Sequence, residues 1–275
     1  MDTVVQALIM GVVQGLTEFL PVSSSGHLIV VPFLARWDDA FINSLAFSVM
    51  LHLGTLVALL VYFRSDWIRL VPAGIAAVRD RSFHGDDDRR LAWLLVASTI
   101  PAALVGLVFS DVIEASFRHV GLVAVTLVLG GLILLIADRF GANSRSVEDV
   151  TFPIAIGIGA AQALALIPGI SRSGISISAA RMVGMDRESA ARFAFLMATP
   201  ITAGAGLFEV RRLLAGEGGI QVSTLPLVVG MVASLVAGLA AIHFMLSFLR
   251  RRSLDAFVWY RFALAAIVLI VWLAR

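Results

Sequence analysis

The chain has no cysteine and no lysine. The first absence excludes disulfides and thiolate metal sites. The second makes all 21 basic residues arginine, so the pI of 9.9 reflects guanidinium basicity more than the net charge of +2. Charge itself is scarce, with 15% charged against 59% hydrophobic residues and a mean hydropathy of +0.95. A soluble domain with a polar surface is thereby excluded, and an integral membrane protein is expected. The arginines are spread over short loops and form no basic tail or stripe, so no nucleic-acid partner is expected. The opening "MDTVVQALIM" carries an acid where a secretory signal carries positive charge, and is read as part of the mature fold. Walker A and HExxH motifs are missing, and "GIGAAQ" lacks the last glycine of a dinucleotide loop.

What is present is a set of apolar runs. A span needs roughly 20 apolar residues. Uncharged runs of that order occupy residues 43–63, 91–110, 120–137 and 218–249, and two interrupted ones cover 193–208 with its flanks and 254–274. Six crossings are predicted. Two further apolar regions, about 3–35 and 150–185, are broken by "FLPVSSSGHL" and "PGISRSG". Each arm is too short to cross alone and suits a re-entrant pair of half-helices, with a single kinked span as the alternative.

The broken regions match each other. A shift of 148 residues lays Gly11 on Gly159, Gln14 on Gln162, Ser23 on Ser171, Ser25 on Ser173 and Gly26 on Gly174. One membrane domain then consists of two repeats, residues 1–138 and 150–275, each a re-entrant hairpin followed by three spans. Three crossings invert the second repeat relative to the first, the arrangement of transporters whose sites lie near the midplane. The expected fold is all-α and polytopic. Fourteen arginines (64, 69, 79, 81, 89, 90, 139, 145, 181, 187, 192 and 250–252) fall on one side, and Arg36, Arg118, Arg211, Arg212 and Arg275 on the other. The richer side is expected to be cytoplasmic, so the "SSSGH" hairpin enters from outside. The connector from Arg64 to Arg90, with its "HGDDDRR" run, is read as a solvated cytoplasmic loop without a catalytic role.

An ionisable group at membrane depth costs about 2.5–3.5 kcal/mol on insertion scales and marks a functional site by default. Glu18, His27 and Arg172 all fall at hairpin tips. Gln14 and Glu18 share one helical face, as do Ser24 and His27, so the imidazole is a candidate base for the hydroxyl. Ser23, Ser25, Ser171 and Ser173 lie at helix N-termini, where free amides attract anions, and Gly26 and Gly174 allow close backbone approach. Arg172 is a fork of donors suited to phosphate. A divalent metal bridging Glu18 and phosphate oxygens is compatible with this set. Blander readings stand beside these: serines and glycines as helix-packing residues, Arg172 as a structural partner of Glu18, and His52 and His243 as packing or hydrogen-bonding groups within spans. Arg261, inside the last span beside Tyr260, is a lesser substrate-binding candidate, with snorkelling to the interface as its alternative.

"SGH" and "SR" are shared with membrane phosphatases related to phosphatidic acid phosphatase. That family's Lys/Arg-Pro motif cannot be placed in a chain without lysine, and no histidine follows Arg172 at its spacing. In contrast, "QGLTEFLPVSSSGH" (Gln14 to His27) and "PGISRSG" (Pro168 to Gly174) closely resemble the two signature motifs of the bacterial undecaprenyl-diphosphate phosphatase family associated with bacitracin resistance. The resemblance extends over essentially the whole chain. It implies hydrolysis of undecaprenyl diphosphate to the monophosphate, recycling the lipid carrier of cell-wall synthesis and countering bacitracin. It also implies a plasma-membrane protein acting at the periplasmic or outer face, dependent on Mg2+ or Ca2+, and homodimeric. Catalytic roles carry over to Glu18, Ser24, His27 and Arg172, with serine and histidine both open as phosphoryl acceptor. Gln14 replaces a glutamate, which weakens any two-carboxylate metal site. A flippase or transporter for lipid phosphates is the rival from another class, and a structural scaffold would leave the buried charges unexplained.

Overall fold

The computed structural model describes residues 2–82, 86–117, 119–214 and 223–275. Arg118, residues 218–222 of one expected run, and His84 and Gly85 of the "HGDDDRR" connector lie outside the described residues. The chain folds into eleven α-helices among the described residues: α1 Thr3–Phe19, α2 Ser24–Ala35, α3 Leu45–Tyr62, α4 Arg64–Arg79, α5 Asp87–Phe117, α6 Val120–Phe140, α7 Phe152–Gln162, α8 Arg172–Met182, α9 Arg187–Leu214, α10 Thr224–Leu249 and α11 Asp255–Leu273. No β-strand forms among them beyond one isolated bridge, Arg145 with Met185.

Helices α3, α5, α6, α9, α10 and α11 are the 6 long and apolar enough to cross a membrane, and they correspond to the six predicted runs. This is the architecture of a multi-pass membrane protein. The broken regions are helix pairs instead. With 12, 11 and 11 residues, α2, α7 and α8 reach well short of a bilayer's hydrocarbon thickness. Helix α1 stops at Phe19 because Pro21 forces Leu20 out of the α region, and Leu20 is extended at φ −71°, ψ 140°.

The two ends of each pair are tied to each other. Thr3 Oγ1 donates to Asp39 Oδ2 at 2.7 Å across the two ends of the first pair. That bond, helped by the Phe41 and Ile42 amides, holds the Asp39 carboxyl below the usual carboxylate range. At the base of the second pair, the Ser144 and Arg145 amides both donate to the Gly184 carbonyl.

Small residues set the closest contacts. Gly11 and Gly15 of α1 lie against Gly230, Ser234 and Gly238 of α10, where an added Cβ would strike the Gly230 and Ser234 carbonyls. Gly159 of α7 meets the Ser98 carbonyl of α5 in the same way. Backbones approach there because apolar packing alone gives membrane helices little reason to associate.

Ion pairs gather the arginine-rich connectors at one end of the bundle. Arg192 pairs with Asp66 at 2.6 Å, Arg187 with Asp138 at 2.6 Å and Arg250 with Glu188 at 2.8 Å, while Arg90 donates to the Glu148 and Val150 carbonyls. Arg181 is 0% exposed and donates to Asn143, Met185, Asp138 and Gly141. The connector expected to be merely solvated is, over Arg64–Arg79, a helix. Its Ile68, Val71, Ile75 and Val78 form an exposed apolar face at three- and four-residue spacing, which the intervening charges conceal from a run-length reading.

Candidate active site

The two broken regions meet at their tips, and the meeting is built from local backbone rules. Ser23 and Ser171 are the N-caps of α2 and α8, each at positive φ (75° and 79°), and each hydroxyl accepts from the amide three residues on, Gly26 at 3.3 Å and Gly174 at 3.1 Å. The match at a 148-residue shift thus extends to backbone conformation. It extends further to the Oγ–Oγ contacts, Ser23 with Ser25 at 3.4 Å and Ser171 with Ser173 at 3.2 Å. The tips are then cross-linked: the Gly169 amide donates to Ser23 Oγ at 3.1 Å and Ser173 Oγ to the Leu20 carbonyl at 3.0 Å. Gly169 itself sits at φ +98°, a conformation glycine adopts without a Cβ clash.

Arg261 is the staple of this junction. It is 0% exposed, and its guanidinium donates to five carbonyls: Pro21 of the first tip, Gly169 and Ile170 of the second, and Thr126 and Leu127 of α6. Gly130 makes room for it, since a Cβ there would overlap the guanidinium. This corrects two expectations. Arg261 does not snorkel, and every nitrogen is spent on backbone, so no free donor is left for a substrate phosphate. Ser23 and Ser171 are likewise buried as caps, and Ser173 is committed to the opposite tip.

The stapled tips place one carboxylate at the centre of the remaining polar groups. Glu18 Oε2 accepts from Ser24 Oγ at 2.5 Å and from Gln14 Nε2 at 2.9 Å, and its Oε1 accepts from Arg172 Nη2. Arg172 Nη1 donates to Thr202 Oγ1 at 2.7 Å, which in turn donates to the Ala198 carbonyl of α9. A small cavity beside this group is lined by Glu18, Phe19, Arg172, Ser173, Ala194, Phe195 and Ala198.

The expected Ser24–His27 pair is not formed. Side chains on a helix lean towards its N-terminus, so the His27 ring reaches back to the Ser23 carbonyl through Nδ1 at 2.7 Å, and its Nε2 meets the Tyr260 hydroxyl at 2.7 Å. His27 is buried there, beneath the tip, stacked on Tyr260. The imidazole at the carboxylate is His52 of α3, whose Nε2 lies 3.4 Å from Glu18 Oε2. Sequence reasoning missed His52 and Thr202; an ionisable residue inside an uncharged run was the one available signal for His52. His243 contacts the Tyr62 hydroxyl at 3.4 Å, within the spans.

For a metal, the chemistry of the donors is informative. No group of three or more His, Cys, Asp and Glu exists among the described residues. The Glu18 carboxylate, the Ser24 hydroxyl and Gln14 Oε1 are hard oxygens, and Gln14 Oε1 is buried without a hydrogen-bond partner. Such a set would suit a hard cation such as Mg2+ or Ca2+ and does not fit zinc.

Comparison with known proteins then decides the family. The model of the family described as bacitracin resistance protein BacA matches residues 7–267. The chain belongs to this family. Its relatives include the undecaprenyl-diphosphatase of Pelobacter propionicus, 49% identical over 261 residues covering 93% of this chain and 92% of the relative. The undecaprenyl-diphosphatase of Rubrobacter xylanophilus is 47% identical with 96% of each chain covered, and that of Desulforudis audaxviator 45% identical with 98% of each covered.

Proposed function

We propose that this BacA-family protein is a membrane phosphatase that hydrolyses undecaprenyl diphosphate to undecaprenyl phosphate and phosphate. The observation that carries the reading is the Glu18 carboxylate, which joins a hydroxyl nucleophile and an unsaturated guanidinium where the two tips meet. The names of the relatives supply the lipid.

In the proposed mechanism the substrate's terminal phosphate displaces Glu18 from Arg172. Arg172 uses two of its five N–H groups in the resting site, so its fork is available for bidentate phosphate binding. Release from Arg172 raises the basicity of Glu18, which takes the Ser24 proton as Ser24 Oγ attacks the terminal phosphorus. The bond from phosphorus to the bridging oxygen breaks, undecaprenyl phosphate leaves, and water hydrolyses the phosphoserine, with Glu18 again handling the proton. Ser24 is favoured over His27 as acceptor because His27 is buried and held by Ser23 and Tyr260. Glu18 and Gln14 would hold Mg2+ or Ca2+, which supplies charge neutralisation at the diphosphate.

The finer architecture belongs to the same reading. Residues 1–138 and 150–275 form two inverted repeats whose helix pairs are re-entrant, supported by the matched caps and tip contacts 148 residues apart. The arginine-rich end faces the cytoplasm. The site opens to the periplasmic or outer face of the plasma membrane, where the product rejoins cell-wall synthesis and the activity confers bacitracin resistance. The active unit is a homodimer, and the other partner is membrane lipid. The Arg181–Asp138–Arg187 network at the arginine-rich end, in which Arg181 and Asp138 are buried, favours one-sided hydrolysis over the flippase alternative.

The test is phosphate release from undecaprenyl diphosphate by the purified chain in detergent with Mg2+, then with chelator, beside Glu18→Gln. Release that is lost in the variant supports the reading. A folded wild type that binds the lipid and releases nothing overturns it.

A further inference from the structure

We infer that α4 lies in the plane of the membrane, with Ile68, Val71, Ile75 and Val78 sunk into the headgroup–acyl boundary of the phospholipid leaflet at the arginine-rich end. Depth along the chain argues first. Helix α3 has 18 residues, a rise of about 27 Å, so crossing the hydrocarbon uses its whole length. Its last turn still exposes Leu60 and Val61, and α4 begins at Arg64. The apolar face of α4 therefore starts where the lipid-facing surface of α3 ends.

Direction follows from the contacts of the packed side. Arg69 pairs with Asp88 at 3.1 Å and Asp80 with Arg89 at 2.9 Å, although residues 69 and 80 are roughly 16 Å apart by helix rise. Between them the Trp93 indole donates to the Gly74 carbonyl at 3.1 Å. Both ends of α4 thus reach neighbouring residues of α5, which requires α4 to cross that span steeply. Asp66 meets Arg192 of α9 at 2.6 Å. All these partners lie in the first two turns of α5 and α9, so α4 rests across the rim of the bundle.

The sides of α4 fit that corner. Asp66, Leu70 and Ala77 are buried against the bundle, the four apolar residues form a second sector, and exposed Ser65, Arg69, Pro72 and Arg79 form a third. The sectors are centred roughly a third of a turn apart. One faces protein, one is apolar and open, and one is polar, as a helix wedged between bundle, lipid and water requires. Arg64 and Arg79 stand at the two ends of the apolar face. Arg64 spends one N–H on the Val61 carbonyl and Arg79 pairs with Asp80, which leaves further donors on both for lipid phosphates. Phospholipid complements that charge as well as the apolar stripe.

The chain has no cysteine, so single cysteines can be introduced without background. Full-length Ile68→Cys, Val71→Cys, Ile75→Cys and Val78→Cys, with Ser65→Cys and Pro72→Cys from the polar sector, are spin-labelled in phosphatidylethanolamine–phosphatidylglycerol vesicles. Collisions with oxygen, which concentrates among acyl chains, are compared with those of a water-soluble nickel chelate present on both sides. The four apolar sites should favour oxygen severalfold over the polar pair and share one depth, roughly 5–10 Å into the boundary. Equal nickel access at all six sites overturns the inference in favour of a solvated connector. A depth that grows steadily from residue 68 to 78 overturns it in favour of an inserted helix, and shielding from both reagents in favour of a second copy or another protein. Photolabelling of the unsubstituted chain by a bilayer-confined diazirine covers the case of misfolded variants. Label on α3 with none on the four apolar residues of α4 also overturns the inference.

Discussion

Ser24 Oγ lies 2.5 Å from Glu18 Oε2, although the two residues sit on different helices separated by a sharp bend at Pro21. The relationship puts the Glu18 carboxylate, and not the His27 imidazole, in reach of the hydroxyl. Ser24→Ala is expected to lower single-turnover phosphate release by at least about a hundredfold, and Glu18→Gln by a similar factor. The double variant should be little worse than the poorer single one, because the two groups act as a unit. Additive losses in rapid-quench measurements would argue for independent roles.

Arg172 spans Glu18 and Thr202 with the two arms of its fork. Arg172→Ala should raise KM and lower kcat together, and Arg172→Lys should rescue little, since a point charge cannot reproduce two directed bonds. Thr202→Val should give a milder version of the same change, a few-fold in kcat/KM. Steady-state kinetics on the three variants checks the order.

Arg261 differs from Arg172 in kind, because its partners are five backbone carbonyls from three segments. Arg261→Met leaves several buried acceptors unpaired at about 1–3 kcal/mol each. The expected result is a thermal midpoint in detergent well below wild type.

The contact of Gly11 with the Gly230 carbonyl leaves no space for a side chain. Gly11→Leu should force α1 from α10 and carry Glu18 away from His52, abolishing both folding yield and activity. Size-exclusion profiles of the detergent-solubilised variant check the first, and phosphate release from whatever folds checks the second.

Gln14 Oε1 is buried without a partner beside a single carboxylate. Gln14→Glu places two carboxylates four residues apart on one helix face, which repel unless a cation lies between them. The variant should be less stable than wild type without divalent metal and regain its thermal midpoint as Mg2+ is added. A midpoint insensitive to Mg2+ would argue against a cation at this position.

Much of this was legible in the chain. Six spans followed from run length, since hydrocarbon thickness and helix rise dictate how many apolar residues a crossing needs. The broken regions followed from Pro, Gly and Ser in the middle of apolar sequence, and the 148-residue match pointed to "SSSGH" and "SRSG" as a pair. Gln14 and Glu18 could be placed on one face because helical periodicity is local. Helix α4 was hidden because a half-apolar amphipathic segment never produces a long uncharged run.

What sequence alone determined was therefore whatever depends on near neighbours: helices, their breaks, and the residue types gathered at each break. The tertiary structure decided which of those residues touch. It turned His27 towards Tyr260, spent Arg261 on five carbonyls, and brought His52 to a carboxylate 34 positions away in the chain. The physical reason is that a side chain's partner across a helix bundle depends on helix rotation and depth. Those are set here by where Gly11, Gly15, Gly54 and Gly159 let backbones approach, and by which carbonyls the bends at the two tips leave free to be bound.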